Sequence, residues 1–433
     1  MLILQLLFVL AAIIVGARLG GIGLGVTGGA GVAVLVFLFG LEPTSPPIDV
    51  MLMIAAVIAA ASAMQAAGGL DYLVGLAEKL LRRNPSQVTV VSPLVAYLFT
   101  LVAGTGHVAY SILPVIAAVA RETGIRPERP LGISVIASQQ AITASPISAA
   151  TVALLGMLSA DSITLFDILK ITIPATLIGV LAGAFLSKRV GRELVDDPEY
   201  QRRVKAGMFK ENEHSYNRGN TPWQARMSVI VFLAATVLIV LFGSVSSMRP
   251  SFGGSPIGMP AVIEILMLSA AAVILLIGRI DGIAPTQGSV FIAGMQAVVA
   301  IFGIAWMGDT FINGNVDSLT DSLRGIVTEM PWLFAVALFV MSILLYSQAA
   351  TVRAVLPLGV AVGISNLPLI ALFPAVNGYF FIPNYPTIVA AINFDRTGTT
   401  RIGKLVLNHS FMMPGMVATV VAVIVGLLLI NIY

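Results

Sequence analysis

Two stretches decide how this chain is read: Gly104-Thr105-Gly106-His107-Val108-Ala109-Tyr110-Ser111-Ile112-Leu113-Pro114 and Ser347-Gln348-Ala349-Ala350-Thr351-Val352-Arg353-Ala354-Val355-Leu356-Pro357. Each opens on small polar residues, runs apolar to a Leu-Pro, and is followed by a second interruption. Ser145-Pro146-Ile147-Ser148 comes after the first, and Asn384-Tyr385-Pro386-Thr387 after the second. Polar and Pro residues thus break apolar helices at matching places in two halves, the pattern expected of a transporter site built from discontinuous helices.

Outward from these stretches the chain is apolar. Of 433 residues, 58% are hydrophobic and 10% charged, and the mean hydropathy is +0.97. Soluble domains carry roughly 25% charged residues, so the composition excludes one. Repeated apolar runs long enough for helical spans predict an all-α polytopic membrane protein; the alternating segments of a barrel are absent. The chain has no Cys and three His, which removes thiolate metal sites, iron–sulfur clusters and disulfides. No cofactor is expected. The net charge of +3 lies in loops and calls for no nucleic acid. Met1-Leu2-Ile3-Leu4 has no basic segment before it and reads as the start of a retained span.

In order, spans are predicted at 1–16, 22–40 and 50–67, followed by an amphipathic segment Tyr72–Leu81. Residues 86–103 lead to the first break, 108–120 away from it, 131–158 carry the second, and 166–187 close the half. Residues 188–223 are hydrophilic and form a cytoplasmic connector. The second half repeats the plan with spans 224–243, 258–278 and 288–307, a polar loop 308–331, and 332–346 leading to its first break. Next come 352–363, a segment 367–391 interrupted around Pro383–Pro386, and a last span 411–432. The expected units are therefore a first membrane repeat 1–187, the connector, and a second repeat 224–433. With the N-terminus outside, 20 of the 24 Lys and Arg fall in inner loops, so both termini are expected to be periplasmic. The same threading brings the first break in from the cytoplasm and the second from outside, which makes the halves inverted repeats with re-entrant hairpins.

Unwound backbone in lipid is tolerated only where protein or water satisfies it. Facing breaks offer helix N-termini to an anion. The expected substrate-binding residues are Gly104, Thr105, Gly106, His107, Ser138, Gln139, Ser145, Pro146, Ser148, Ser347, Gln348, Thr351, Asn377, Asn384, Tyr385 and Thr387. Arg353 is read as either a counter-charge for a carboxylate or a side chain snorkelling outward. Isolated Ser134 is read as helix glue. Asp309 is read as an interface residue at a span end, and Glu78 and Arg82 as an i,i+4 pair.

These residues resemble the anaerobic four-carbon-dicarboxylate transporter (Dcu) family, most closely its fumarate–succinate exchange branch. The resemblance rests on Gly68-Gly69-Leu70-Asp71, Glu78 to Pro85, Gly104 to Val108, Arg126-Pro127-Glu128-Arg129-Pro130, Ala144 to Ser148, Arg249 to Gly254, Ser347 to Ala350, Ile382 to Pro386 and Asp395-Arg396-Thr397-Gly398-Thr399-Thr400. It implies inner-membrane exchange of fumarate, malate or aspartate for succinate. It also implies an elevator-type homodimer similar to the ion-transporter superfamily. Transport-supporting charge would fall on Glu78, Arg82, Arg83, Arg126 and Arg129. A membrane sensor kinase, as partner in a sensory role, would meet the connector and the turn 393–404. Sodium- or proton-coupled dicarboxylate or aspartate symport is the alternative in the same class. A proton-translocating respiratory subunit would need a relay of intramembrane ionisable groups, and only Glu264 and Arg353 stand out. No catalytic motif of an intramembrane enzyme is present.

Overall fold

The computed structural model describes the chain apart from residues 20, 47, 159–162, 209–221, 253–254, 316–317, 319–329, 331, 346, 384, 404–406 and 433. The described chain is all-α, save for a two-residue antiparallel ribbon (β1, Ser251–Phe252; β2, Ser255–Pro256). Six of the described helices are long and apolar enough to cross a membrane, and a bent pair makes a seventh.

The first half begins with three apolar helices: α1 (Leu2–Leu19), α2 (Gly23–Phe37) and α3 (Ile48–Ala66). Gly68, at φ +78°, supplies the left-handed turn that bends the chain by 70° into α4 (Gly69–Arg83). Leu70, Val74, Ala77 and Leu81 of α4 face inward at helical spacing, while Lys79, Arg82 and Arg83 are exposed. That is the amphipathic helix the sequence predicts, lying across the end of its span.

α5 (Val88–Ala103) and α6 (Ala109–Glu122) form the first hairpin. α7 (Glu128–Gln140), a 3₁₀ turn and α8 (Ala149–Leu158) form the first broken helix, and α9 (Leu165–Ser187) closes the half. After α10 (Pro198–Lys205) in the connector, the same order recurs: α11 (Trp223–Ser244), α12 (Met259–Gly278) and α13 (Ser289–Gly314) precede the hairpin α14 (Trp332–Leu345) and α15 (Gln348–Ala361). The second broken helix runs from α16 (Asn366–Leu372) through two 3₁₀ turns to α17 (Pro386–Phe394), and α18 (Met412–Leu429) closes the chain.

Small residues let these helices approach closely, as packing in lipid requires. A Cβ on Gly28 would stand 2.6 Å from the Ile304 amide, so α2 and α13 cross almost backbone to backbone. Gly179 and Gly183 of α9 do the same against α18, with Ala418 and Pro414 opposite. The pairings α1–α2, α2–α13, α3–α12 and α11–α12 build one group of helices. α5–α7, α9–α18 and α14–α15 build a second, which contains both hairpins and both broken helices.

The element boundaries differ from expectation at four places. α15 begins at Gln348, not 352, because the Ser347 hydroxyl caps it by accepting from the Ala350 amide at 3.2 Å. The second broken helix leaves α geometry already at Phe373, ahead of Pro374, instead of around Pro383. α13 continues through the expected loop to Gly314, so Asp309 lies inside a helix rather than at a span end. Finally, the segment expected from 131 starts at Glu128, and the break it was expected to carry at Ser145–Ser148 spans Ala141–Ser148.

The first part of the connector is docked. Leu194 is buried, and Asp197 caps α10 through the amides of Glu199 and Tyr200. Arg126 is buried and donates to Glu128 at 2.5 Å and to Asp197 at 2.6 Å. Burial pushes the Asp197 carboxyl up, but the Tyr200 amide, the Arg126 guanidinium and the Glu199 amide outweigh it, holding the carboxyl below the ordinary carboxylate range. A lowered native pKa contributes stability above the unfolded value, about 3.9, and loses it as pH falls through the native one. Docking of residues 194–205 should therefore be constant from neutral pH down to about 4 and weaken only below that. Asp197→Asn should loosen it at neutral pH, seen as faster amide hydrogen exchange across α10. Unchanged exchange in the variant would show that the pair does not hold the connector.

Candidate functional site

Gly104 ends α5 at φ +70°, its amide donating to the Thr100 carbonyl at 2.8 Å. This closes the first hairpin in a turn that only Gly takes without strain. The tip rests on Ile147 of the neighbouring break, whose carbonyl would lie 3.1 Å from a Cβ at Gly104. Gly106 sits against the side-chain amide of Gln139, with Cδ 2.9 Å from its would-be Cβ.

Gln139 joins the two halves. Its Oε1 accepts from Nε2 of Gln348, the first residue of α15, at 3.0 Å. The same Nε2 donates to Asn377 Oδ1 at 3.1 Å. Asn377 Nδ2 donates back to Gln140 Oε1 at 3.2 Å and to the Pro374 carbonyl at 3.1 Å, and Gln140 Nε2 donates to Thr419 on α18 at 2.8 Å. All five side chains are buried. The first broken helix, the tip of the second hairpin and the second broken helix therefore meet through primary amides, which both donate and accept.

A second cluster adjoins the first. Tyr379, two residues past Asn377, packs its ring against Tyr385 at 4.9 Å between centroids, and its hydroxyl reaches the Val135 carbonyl at 3.4 Å, one turn before Gln139. Tyr385 precedes α17, which packs on α6 and α7. Tyr385 also interacts electrostatically with Tyr110 on α6. Thr387, in the first turn of α17, is 1% exposed and its hydroxyl has no partner among the described residues.

Other expected residues are near the tips but already bonded. Ser145 donates to the Leu101 carbonyl at 2.7 Å, Ser148 to the Ile142 carbonyl at 2.5 Å, and Ser138 to the Val135 carbonyl at 2.8 Å. Thr351 donates to the Ser347 carbonyl at 2.8 Å. Each of these hydroxyls holds a break or a helix in shape and keeps only lone pairs for anything else. Pro146 is buried in the first-half break, and Thr105 lies beside Gly104 at the tip. The His107 side chain and the whole of Asn384 lie outside the described structure. Ser134 donates to Ser92 at 3.0 Å, the expected helix glue.

Arg353 is a separate matter. It stands about one and a half turns beyond Gln348, on the side of α15 that faces α13, with Nη2 3.5 Å from Asp309 Oδ2. It neither joins the amides nor snorkels outward. The charges at Glu78, Arg82, Arg83, Arg126 and Arg129 are also apart from the tips. Arg82 donates to Glu78 at 2.8 Å and to Glu122 at 2.7 Å, tying α4 to α6, while Arg83 is exposed. Arg129 holds the connector through the Val190 carbonyl and Glu193, both at 2.9 Å. Asp395, buried, accepts from the Thr397 and Thr400 amides and from Thr399, folding the Asp-Arg-Thr-Gly-Thr-Thr turn, and Arg203 of α10 donates to the Arg396 carbonyl at 2.8 Å.

A cavity of about 90 Å³ lies between the first tip and α3 and α13, lined by Ile58, Ala61, Val290 and Gly294 beside Gly104 and Thr105. Its mostly apolar walls suit a dianion poorly, so the amide and tyrosine clusters are the better candidates.

Gln140, Tyr110, Tyr379 and Thr419 were missed in the sequence. A pair of adjacent amides in an apolar helix was the available signal for Gln140, since an unbonded amide there is costly; the aromatic residues carried none.

Broken helices whose tips meet inside a polytopic bundle define a membrane transporter. The chain matches the family model described as anaerobic C4-dicarboxylate membrane transporter over residues 1–433 and belongs to that family. It is 46% identical over 431 residues to C4-dicarboxylate transporter DcuA of Wolinella succinogenes, covering 98% of both chains. It is 44% identical to DcuA of Escherichia coli K12, covering 99% of both, and 42% identical to anaerobic C4-dicarboxylate transporter DcuB of Escherichia coli O6:H1, covering 98% of this chain and 97% of that one. These relatives are named as transporters, not enzymes. Among solved structures it is similar to the YdaH transporter of Alcanivorax borkumensis, with a TM-score of 0.56 at 15% identity over 96% of this chain and 98% of that one. That likeness concerns the fold.

Proposed function

We propose that the chain exchanges four-carbon dicarboxylates, taking up fumarate, malate or aspartate and releasing succinate, by alternating access in the bacterial inner membrane. The observation that carries this is the buried meeting of the two broken helices and the second hairpin tip at Gln139, Gln348 and Asn377. A site shared by two inverted halves faces either side when one group of helices moves against the other. The dicarboxylate is accepted by amide donors, by the Gly104–Gly106 backbone and by the first turn of α17. Repeats 1–187 and 224–433 supply one hairpin each, and residues 188–223 join them inside. The functional unit is a homodimer, and a sensor kinase, where one is engaged, meets the inner face at the connector and the turn 393–404.

Counterflow in proteoliposomes tests the function. Vesicles preloaded with succinate should accumulate labelled fumarate, malate and aspartate but not citrate. Fumarate and succinate are both dianions at neutral pH, so one-for-one exchange moves no net charge, and its rate should not respond to an imposed membrane potential. A strong response with both substrates present would replace exchange by cation-coupled symport.

Topology is tested independently. In the Cys-free parent, single cysteines at 200–220 should be labelled only from the inside and those at 312–328 only from the outside. Labelling of both loops from one face would defeat the inverted arrangement.

A further inference from the structure

We propose that the first turn of α17 is a subsite for one carboxylate of the substrate, with the Thr387 hydroxyl as its donor. This rests on the dicarboxylate reading above and specifies which end of the site takes a charged group.

Threonines inside these helices dispose of their hydroxyl protons by donating to the carbonyl four residues back. Thr27 does so to Gly23, Thr123 to Val119, Thr176 to Thr172, Thr236 to Phe232 and Thr351 to Ser347. Thr387 has no such carbonyl to use: four residues back is Pro383, in the non-helical break. Its Oγ1 is buried and without a partner. Among the described residues Thr100, Thr172 and Thr400 are also unpartnered, but the first two lie mid-helix, where a rotamer change reaches an i−4 carbonyl, and Thr400 lies in the turn folded around Asp395. At Thr387 the group that completes the hydroxyl must come from outside the helix.

The surroundings select an anion. α17 has Pro386 at its first position, and the Ile388 and Val389 amides are both spent on the Tyr385 carbonyl, at 2.9 and 3.1 Å. The Thr387 amide remains in the first turn without an acceptor among the described residues, at the positive end of the helix dipole. An amide and a hydroxyl from one residue present two donors side by side, the complement of a carboxylate, which only accepts. Pro386 and Ile382 beside it are exposed, so the buried hydroxyl lies close to the surface of the described structure. It also continues the amide cluster: Tyr385 packs on Tyr379, and Asn377 lies two residues further along the chain. A short dicarboxylate then has one end at α17 and the other at the amides.

The test is calorimetric binding of succinate to purified protein, with difference infrared spectra of succinate carrying ¹³C in both carboxyl groups. Bound succinate should show two distinct carboxylate bands. Thr387→Val keeps the shape and removes the hydroxyl; it should weaken succinate roughly tenfold to hundredfold and shift one band only. Thr387→Ser restores the donor and should return both readouts toward wild type, with thermal stability matched in all three proteins. Unchanged affinity in Thr387→Val, or a loss with neither band moved, overturns the subsite and leaves the hydroxyl as a water ligand or a structural group. If the wild-type protein binds neither succinate nor fumarate, the dicarboxylate reading itself has failed.

Discussion

Gly106→Val should abolish succinate binding, with a loss of at least about a hundredfold in affinity, which corresponds to roughly 2.7 kcal/mol. The cause is where the side chain has to go. A Cβ at Gly106 would stand 2.9 Å from Gln139 Cδ and nearer still to Nε2. The far end of a glutamine yields cheaply when it is free, but this one is held by Gln348 from the other half. Making room for valine therefore means breaking the link between the halves or driving the first hairpin away from α7. Both remove donors from the place where the substrate is proposed to sit, and the branched side chain also blocks close backbone approach. Binding is measured by calorimetry, alongside a thermal melt and Ser134→Ala as a packing control, whose single interhelical bond is worth about 0.6 kcal/mol. Wild-type affinity in a folded Gly106→Val protein would mean that the substrate binds elsewhere.

Asn377→Leu should destabilise the protein by on the order of 3 kcal/mol and stop exchange. Asn377 is nearly isosteric with leucine, so packing changes little. What changes is the partner list: Gln140 Oε1 and the Pro374 carbonyl lose their donor, and Gln348 loses one of two acceptors. Buried groups left unbonded cost about 1–3 kcal/mol each. Gln348→Leu should couple to it, the double variant losing less than the sum of the singles, because both remove the same bond. A melt within one degree of wild type for Asn377→Leu would show that water takes over the orphaned groups.

The breaks were legible because interrupting an apolar helix leaves a local mark. Gly104 and Gly106 had no other reason to flank a Thr inside a span, and the Ser145–Ser148 and Ser347–Gln348 interruptions fell where small polar residues stood. Boundaries shifted where one side chain decides them: the Ser347 cap pulls α15 four residues earlier and places Thr351 inside the helix, where its hydroxyl is spent locally. The site was less legible, because its bonds join residues far apart in the chain. Asn377 and Gln140 are 237 positions apart and Gln348 and Gln139 are 209 apart, and no periodicity records such a pairing. The Arg353–Asp309 contact illustrates the same limit: a lone cation in an apolar run reads as a counter-charge or as a snorkelling side chain, and its partner on α13 appears only in the fold.

Pro114 and Pro357 stand in the returning arms of the two hairpins. A proline lacks the amide that would close the helical ladder, so Pro114 and Pro357 donate nothing to the carbonyls of Tyr110 and Arg353. Flexing an intact helix stretches its hydrogen bonds; flexing at these two points breaks none, because the bond is already missing. Each arm thus has a knee, at the sixth residue of α6 and the tenth of α15. The base of the first arm is clamped by Arg82 between Glu78 and Glu122, so bending of that arm would fall on a joint made of backbone alone.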